Sequence, residues 1–185
     1  MDTLRRKGVI TLSEEDLNKF CQLALKLGAA DAKLIKAEDI VVSDWTRLKC
    51  QYGCNGYGKS LTCPPYSPTP EEFRKILKGY NWTVLLRFEP RKPEYDWKSP
   101  HEVVVKLERE AFLSGYYSAF GLACGPCPYC DECNLKECIQ TDLARPSMEA
   151  CGIDVYATVR RAGFNLRVVG NRYEKPAYFG LLLIR

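Results

Sequence analysis

Thiols dominate the chemistry available to this chain: it carries ten cysteines and one histidine, His101, in 185 residues. Cys50, Cys54 and Cys63 form the run C-x3-C-x8-C-P-P, with Gly53, Gly56 and Gly58 between them. Glycines permit positive φ angles and close backbone approach, which suits a loop wrapped around an inorganic core. A second group is tighter: Cys124, Cys127, Cys130 and Cys133 recur at every third residue in CGPCPYCDEC, and Cys138 follows after NLKE. C-x2-C-x2-C is the ferredoxin-type spacing for corners of an iron–sulfur cubane. Zinc sites more often use separated C-x2-C pairs with histidine as partner, and His101 lies outside both groups, so zinc would need cysteine alone. Cys151 stands in PSMEACG, where a helix starting after Ser147 would put it in the first turn, a favourable place for a thiolate. It reads either as the fourth ligand of the first group or as a reactive or buried thiol.

The first group overlaps another pattern. GCNGYGKS, Gly53 to Ser60, matches the phosphate-loop formula G-x-x-x-x-G-K-[ST]. That formula works only where a strand delivers the loop and a helix starts at the lysine. SDWTRLKCQY is too polar for a buried parallel strand, and Pro64, Pro65, Pro68 and Pro70 prevent a helix from continuing past Lys59. The segment therefore reads as a ligand loop with no nucleotide. In that reading Lys59 and the loop amides offset the negative charge of a bound cluster and tune its potential.

Composition narrows the class. The chain is long enough to bury a core without disulfides, and ten cysteines in a reducing compartment point to metal or redox centres before a disulfide framework. Net charge is +4, spread along the sequence, with Arg5–Arg6, Arg160–Arg161, Arg167 and Arg172 as the nearest thing to a basic face. This argues against nucleic acid as a partner. The amino terminus lacks an apolar signal core and no apolar run is long enough for a bilayer, so a cytoplasmic location without membrane contact is expected.

The elements that must position the thiols follow from pattern. Ser13 with three acids after it, and Gly28 as a stop, predict a helix over about 13–28, with Cys21 on its apolar face. Leu34, Ile35 and Ile40 to Val42 are strand material. TPEEFRKILKGY predicts a capped helix from Pro70, WTVLLRF a central strand over 82–88, and Ser99–Pro100 the start of a helix to about 121. EPRKPEYDWK reads as a proline-broken loop. RPSMEACGIDVYATVRRAGF predicts one helix capped by Ser147 and ended by Gly163, and NLRVV and YFGLLLIR predict closing strands. The sum is a single α+β domain, residues 1–185: a mixed sheet covered by helices, with cysteine-rich loops over 50–70 and 124–151.

CQYGCNGYGKSLTCPPYSPTPEEFRK, GPCPYCDEC and ARPSMEACGIDVYATVRRAGF, taken together, resemble a bacterial and archaeal family described as predicted metal-binding proteins, over most of the chain. The resemblance implies that Cys50, Cys54, Cys63, Cys127, Cys130, Cys133, Cys138 and Cys151 are metal ligands, and it implies no reaction. Cys124 stands where that family is expected to have a small residue, and reads as an extra thiol. Eight ligands make two sets: Cys127, Cys130, Cys133 and Cys138, and Cys50, Cys54 and Cys63 with Cys151. Cys138 and Cys151 are exchangeable in principle, because the fourth cysteine of such a run can serve the other cluster. The leading expectation is a binder of two 4Fe-4S clusters in electron transfer or an accessory role in anaerobic redox metabolism, with a redox partner protein. The alternative is a zinc-stabilised protein- or RNA-binding module without catalysis. One histidine builds no Ser-His-Asp constellation, and whether the chain is an enzyme stays open.

Overall fold

The computed structural model describes residues 14–89, 96–171 and 173–185. Ser13, Arg5, Arg6, Arg172 and the Pro90–Tyr95 part of the proline-broken loop lie outside the described residues. The fold is α+β, with helices packed on both faces of a four-stranded sheet of order β1-β2-β4-β3. Its strands are β1 (Asp31–Lys36), β2 (Trp82–Phe88), β3 (Phe120–Leu122) and β4 (Tyr178–Ile184).

All three strand pairings are antiparallel, so the sheet is not mixed as the sequence suggested. The reason lies in the first long connection. Lys36 pairs with Trp82, so the chain leaves β1 and enters β2 at the same end of the sheet. Everything between is an excursion at that end, where a parallel crossover would have to traverse the sheet. That excursion holds α2 (Trp45–Gly53), the first cysteine segment and α3 (Pro70–Leu77).

WTVLLRF forms β2 over its whole length, and it is interior, between β1 and β4. Its alternate residues serve two cores. Val84, Leu86 and Phe88 face α1 (Glu14–Leu27) and α4 (Lys98–Leu113), packing with Leu17, Phe20, Val104 and Leu107. Leu85 faces the opposite layer with Phe73, Met148, Ile153 and Phe179. Burial on both faces explains the unbroken apolar run, each fully buried Leu contributing about 2 kcal/mol. The polar exception, Thr83, is satisfied by donating to the Leu182 carbonyl at 2.8 Å.

Helix α3 starts as its sequence predicts. Thr69 accepts from the Glu72 amide, Glu72 accepts from the Thr69 amide, and Pro70 opens the first turn. Other boundaries differ. α4 stops at Leu113, where the Tyr116 amide folds back on the Ala111 carbonyl, and β3 follows at 120–122 in place of more helix. NLRVV forms no strand and leaves Val168 69% exposed. Ile40 to Val42 supply only a bridge from Val42 to Ile153. The helix expected from Ser147 is split into a 3-10 turn over Glu149–Cys151 and α5 (Val155–Arg161), which Asp154 caps by accepting from the Ala157 amide at 2.9 Å. Gly152 makes the break: its φ is 87°, and a Cβ there would lie 2.8 Å from the Pro70 ring. Among the described residues no helix is long and apolar enough to cross a membrane.

Candidate metal centre

Cys50 is not in a loop, as the spacing suggested, but in the last turns of α2, and Cys54 caps that helix. Turns then carry the chain to Cys63 and on to Thr69, and no helix starts at Lys59, which is exposed. Backbone hydrogen bonds hold these turns: Gly58 N–H to the Pro64 carbonyl at 2.8 Å, and Cys63 N–H to the Ser60 carbonyl at 3.0 Å. The segment is tied to the layer below it. Ser67 Oγ donates to the Ala150 carbonyl at 2.6 Å, and Arg47 Nη2 donates to the Pro68 carbonyl at 2.7 Å.

The thiols of this segment act on one another. Burial pushes Cys63 up to about 11, and neighbouring Cys54 and Cys50 push the same way. Cys50 is raised by burial and by Cys54 and Glu149, with Arg47 opposing. Sulfurs that resist ionising because they share a partly buried space are the arrangement a cation relieves, since metal binding takes the thiolate form.

The second group leaves β3 on a closed excursion. Ala123 N–H donates to the Pro146 carbonyl at 2.8 Å and Met148 N–H returns to the Ala123 carbonyl at 3.2 Å, so residues 124–145 begin and end side by side. Arg145 locks the return. Its guanidinium makes two 2.7 Å bonds to Glu108 of α4, with both side chains largely buried. At the start, Gly125 has φ 71°, and any Cβ would overlap the Trp97 indole. Tyr129 stands edge-on to buried His101, which hydrogen-bonds the Trp97 carbonyl through Nδ1. Burial raises the Cys127 thiol, and Cys138, Cys130 and Cys133 add to the effect, which brings those four into one electrostatic neighbourhood. Cys127 adds a small upward push on Cys63.

Among the described residues, no group of three or more His, Cys, Asp or Glu side chains stands close enough to hold a single metal ion. What the structure does provide is a cavity of about 730 Å3 whose wall includes Cys50, Cys54, Cys63 and Cys124. Cys151 does not line it. That thiol is 1% exposed, packed with Phe73, Met148 and Ile153, and burial pushes it up to about 12.

Three participants were not legible beforehand. Cys124, read as an extra thiol, shares the cavity wall with the first group. Glu149 also lines the cavity, with access to solvent. In the sequence it reads only as a first-turn acid. Arg47 is the third. It opposes the upward shift of both Cys50 and Cys151, and its Nη1 is buried without a hydrogen-bond partner. Its position three residues before Cys50, one helical turn away, was the available signal.

A family model described as predicted metal-binding protein (DUF2284) matches residues 33–184. No curated protein and no solved structure matches the chain.

Proposed function

Because the chain belongs to the predicted metal-binding family, whose model spans both cysteine groups, we propose that it binds two iron–sulfur clusters and serves in electron transfer or as an accessory of a larger redox system. Cys127, Cys130, Cys133 and Cys138 hold one cluster in this reading. Cys50, Cys54 and Cys63, which line the cavity, would hold three corners of the other. Cys151, expected from the sequence as that fourth ligand, is assigned to packing because of its burial among Phe73, Met148 and Ile153. When bound, such clusters supply one-electron chemistry without protein radicals.

The observation that carries the reading is the shared cavity wall, where Cys50, Cys54 and Cys63 of the first group stand with Cys124 at the start of the second. Two sets of soft donors so close together suit a pair of centres that exchange electrons. Arg47 adds support: a buried guanidinium N–H without an acceptor is costly, and an anionic cluster with sulfur acceptors would satisfy it. Lys59, exposed on the turn after Gly58, contributes positive charge on the outer side.

Protein prepared without oxygen should be brown and contain iron with a matching amount of acid-labile sulfide. A colourless preparation with stoichiometric zinc and no sulfide overturns the proposal in favour of a zinc-stabilised binding module.

A further inference from the structure

The cavity is larger and differently walled than metal binding alone requires. Four thiols line it, those of Cys50, Cys54, Cys63 and Cys124. The wall also carries the rings of Trp45, Trp97, Tyr156 and Tyr178, contributed by segments far apart in the sequence. Trp97 is held edge-on to Tyr178 at 5.0 Å between centroids, so this wall is a packed one. The segment between α5 and β4 closes another side through Leu166, Val169 and Pro176, pinned where Arg160 Nε donates to the Leu166 carbonyl at 3.2 Å. At about 730 Å3 the space falls within the range of sites that enclose a small organic molecule.

The charged residues on the wall are Lys49, Arg167 and Glu149. Lys49 and Arg167 are exposed, where a charge stays solvated at an entrance. Two cations against one carboxylate favour an anionic group, while the aromatic walls favour a flat apolar body.

We propose that this cavity is a binding site for a small organic anion, its apolar body among Trp45, Trp97, Tyr156 and Tyr178 and its anionic group at Lys49 and Arg167. The site adjoins Cys50, Cys54 and Cys63, so the molecule would lie against the open corner of the first cluster. Only that last clause rests on the iron–sulfur reading; the binding itself follows from the walls. A carboxylate and a phosphate share the required chemistry.

The test uses the full chain prepared without oxygen, with three probes of one body: 2-naphthoate, 2-naphthyl phosphate and neutral 2-naphthol. Calorimetry should find one site per chain for at least one of the anions, about tenfold tighter than for naphthol. Whichever anion binds tighter identifies the head group. Reversing both cations, Lys49→Glu with Arg167→Glu, should erase the advantage over naphthol. Val155→Trp, which fills the cavity from α5, should weaken all three probes by about tenfold or more. If that variant does not fold, Ala177→Phe carries the same test from another part of the wall. The proposal falls if neither anion binds saturably, if naphthol binds as tightly as both, or if a folded cavity-filling variant binds unchanged. Metal analysis of the same samples keeps the two readings apart. Binding without iron or sulfide overturns the cluster reading alone, and retained clusters without binding overturn this one.

Discussion

Between Cys54 and Ser67 the backbone bonds mainly to itself. Tyr57 donates to Cys54, Gly58 to Pro64, Cys63 to Ser60, and Tyr66 and Ser67 to Cys63, all at 3.3 Å or less. Within Gly125 to Cys138 no such backbone-to-backbone turn bond is seen, and Lys136 N–H donates instead to Asn134 Oδ1 at 3.0 Å. The first segment is shaped by its own chain and by a helix at each end. The second is held at its two ends, by Gly125 against Trp97 and by Arg145 on Glu108, and in its middle by Tyr129 edge-on to His101. If both groups bind metal, the first is expected to be preformed and the second to be ordered further by its ligand.

Removing metal should separate the two segments most. With an anaerobic chelator, amide exchange across 125–138 should speed up strongly, while 57–67 should keep most of its protection, because its hydrogen bonds do not pass through metal. Equal loss in both segments, read by hydrogen exchange and mass spectrometry, would show that the first frame also depends on its ligand.

Next in size is Gly125→Ala. The residue needs a left-handed backbone, and the new Cβ meets an indole already packed on Tyr178. The two costs together come to about 4 kcal/mol. Denaturant unfolding should register that loss, and, if the two-cluster proposal holds, the cluster on Cys127, Cys130, Cys133 and Cys138 should fall in occupancy while the other is retained. A loss from both in equal measure would mean that the groups assemble as one unit, contrary to their different construction.

Cys151→Ser sharpens the boundary of the first group. As a core thiol among Phe73, Met148 and Ile153, it should cost about 1–2 kcal/mol through a buried hydroxyl, with iron content and both spectra unchanged. Conversion of one cluster to a three-iron form would restore Cys151 as the fourth ligand.

What was legible in the sequence is what local chemistry decides. The capping box at Thr69 and Glu72, the doubly buried run 82–88 and the two thiol clusters each declare themselves within a few residues. What was not legible depends on where distant segments end up. The antiparallel pairing follows from Lys36 and Trp82 meeting at one sheet end, which no pattern in either strand states. The break at Gly152 follows from the approach of Pro70, about eighty residues earlier in the chain. NLRVV has strand composition, but no partner edge reaches it. The cavity was equally hidden, because its wall joins α2, the Trp97 turn, α5 and the start of β4, and each contributes a residue that reads alone as ordinary core or surface.

The smallest expected effect concerns the support beneath the second loop. His101 is fully buried, its Nδ1 bonded to the Trp97 carbonyl at 2.9 Å and its Nε2 without a hydrogen bond, as is the hydroxyl of Tyr129 beside it. Burial lowers the histidine below its ordinary value, against an upward pull from its hydrogen bond to the Trp97 carbonyl. The unfolded chain therefore takes up the proton at higher pH than the folded one. The neutral form's contribution to stability is complete above about pH 6.5 and is lost as pH falls through the lower folded value, with a slope of at most about 1.4 kcal/mol per pH unit. His101→Gln should cost stability at pH 8 yet show a flatter decline between pH 7 and pH 5.5. Cysteine protonation also weakens metal binding in acid, but it acts on both proteins and cancels in their difference. Urea unfolding of the two proteins across that range measures the difference directly. Parallel curves would mean that the imidazole is protonated as easily in the fold as outside it, and that the contact from His101 to Tyr129 leaves the second loop indifferent to acid.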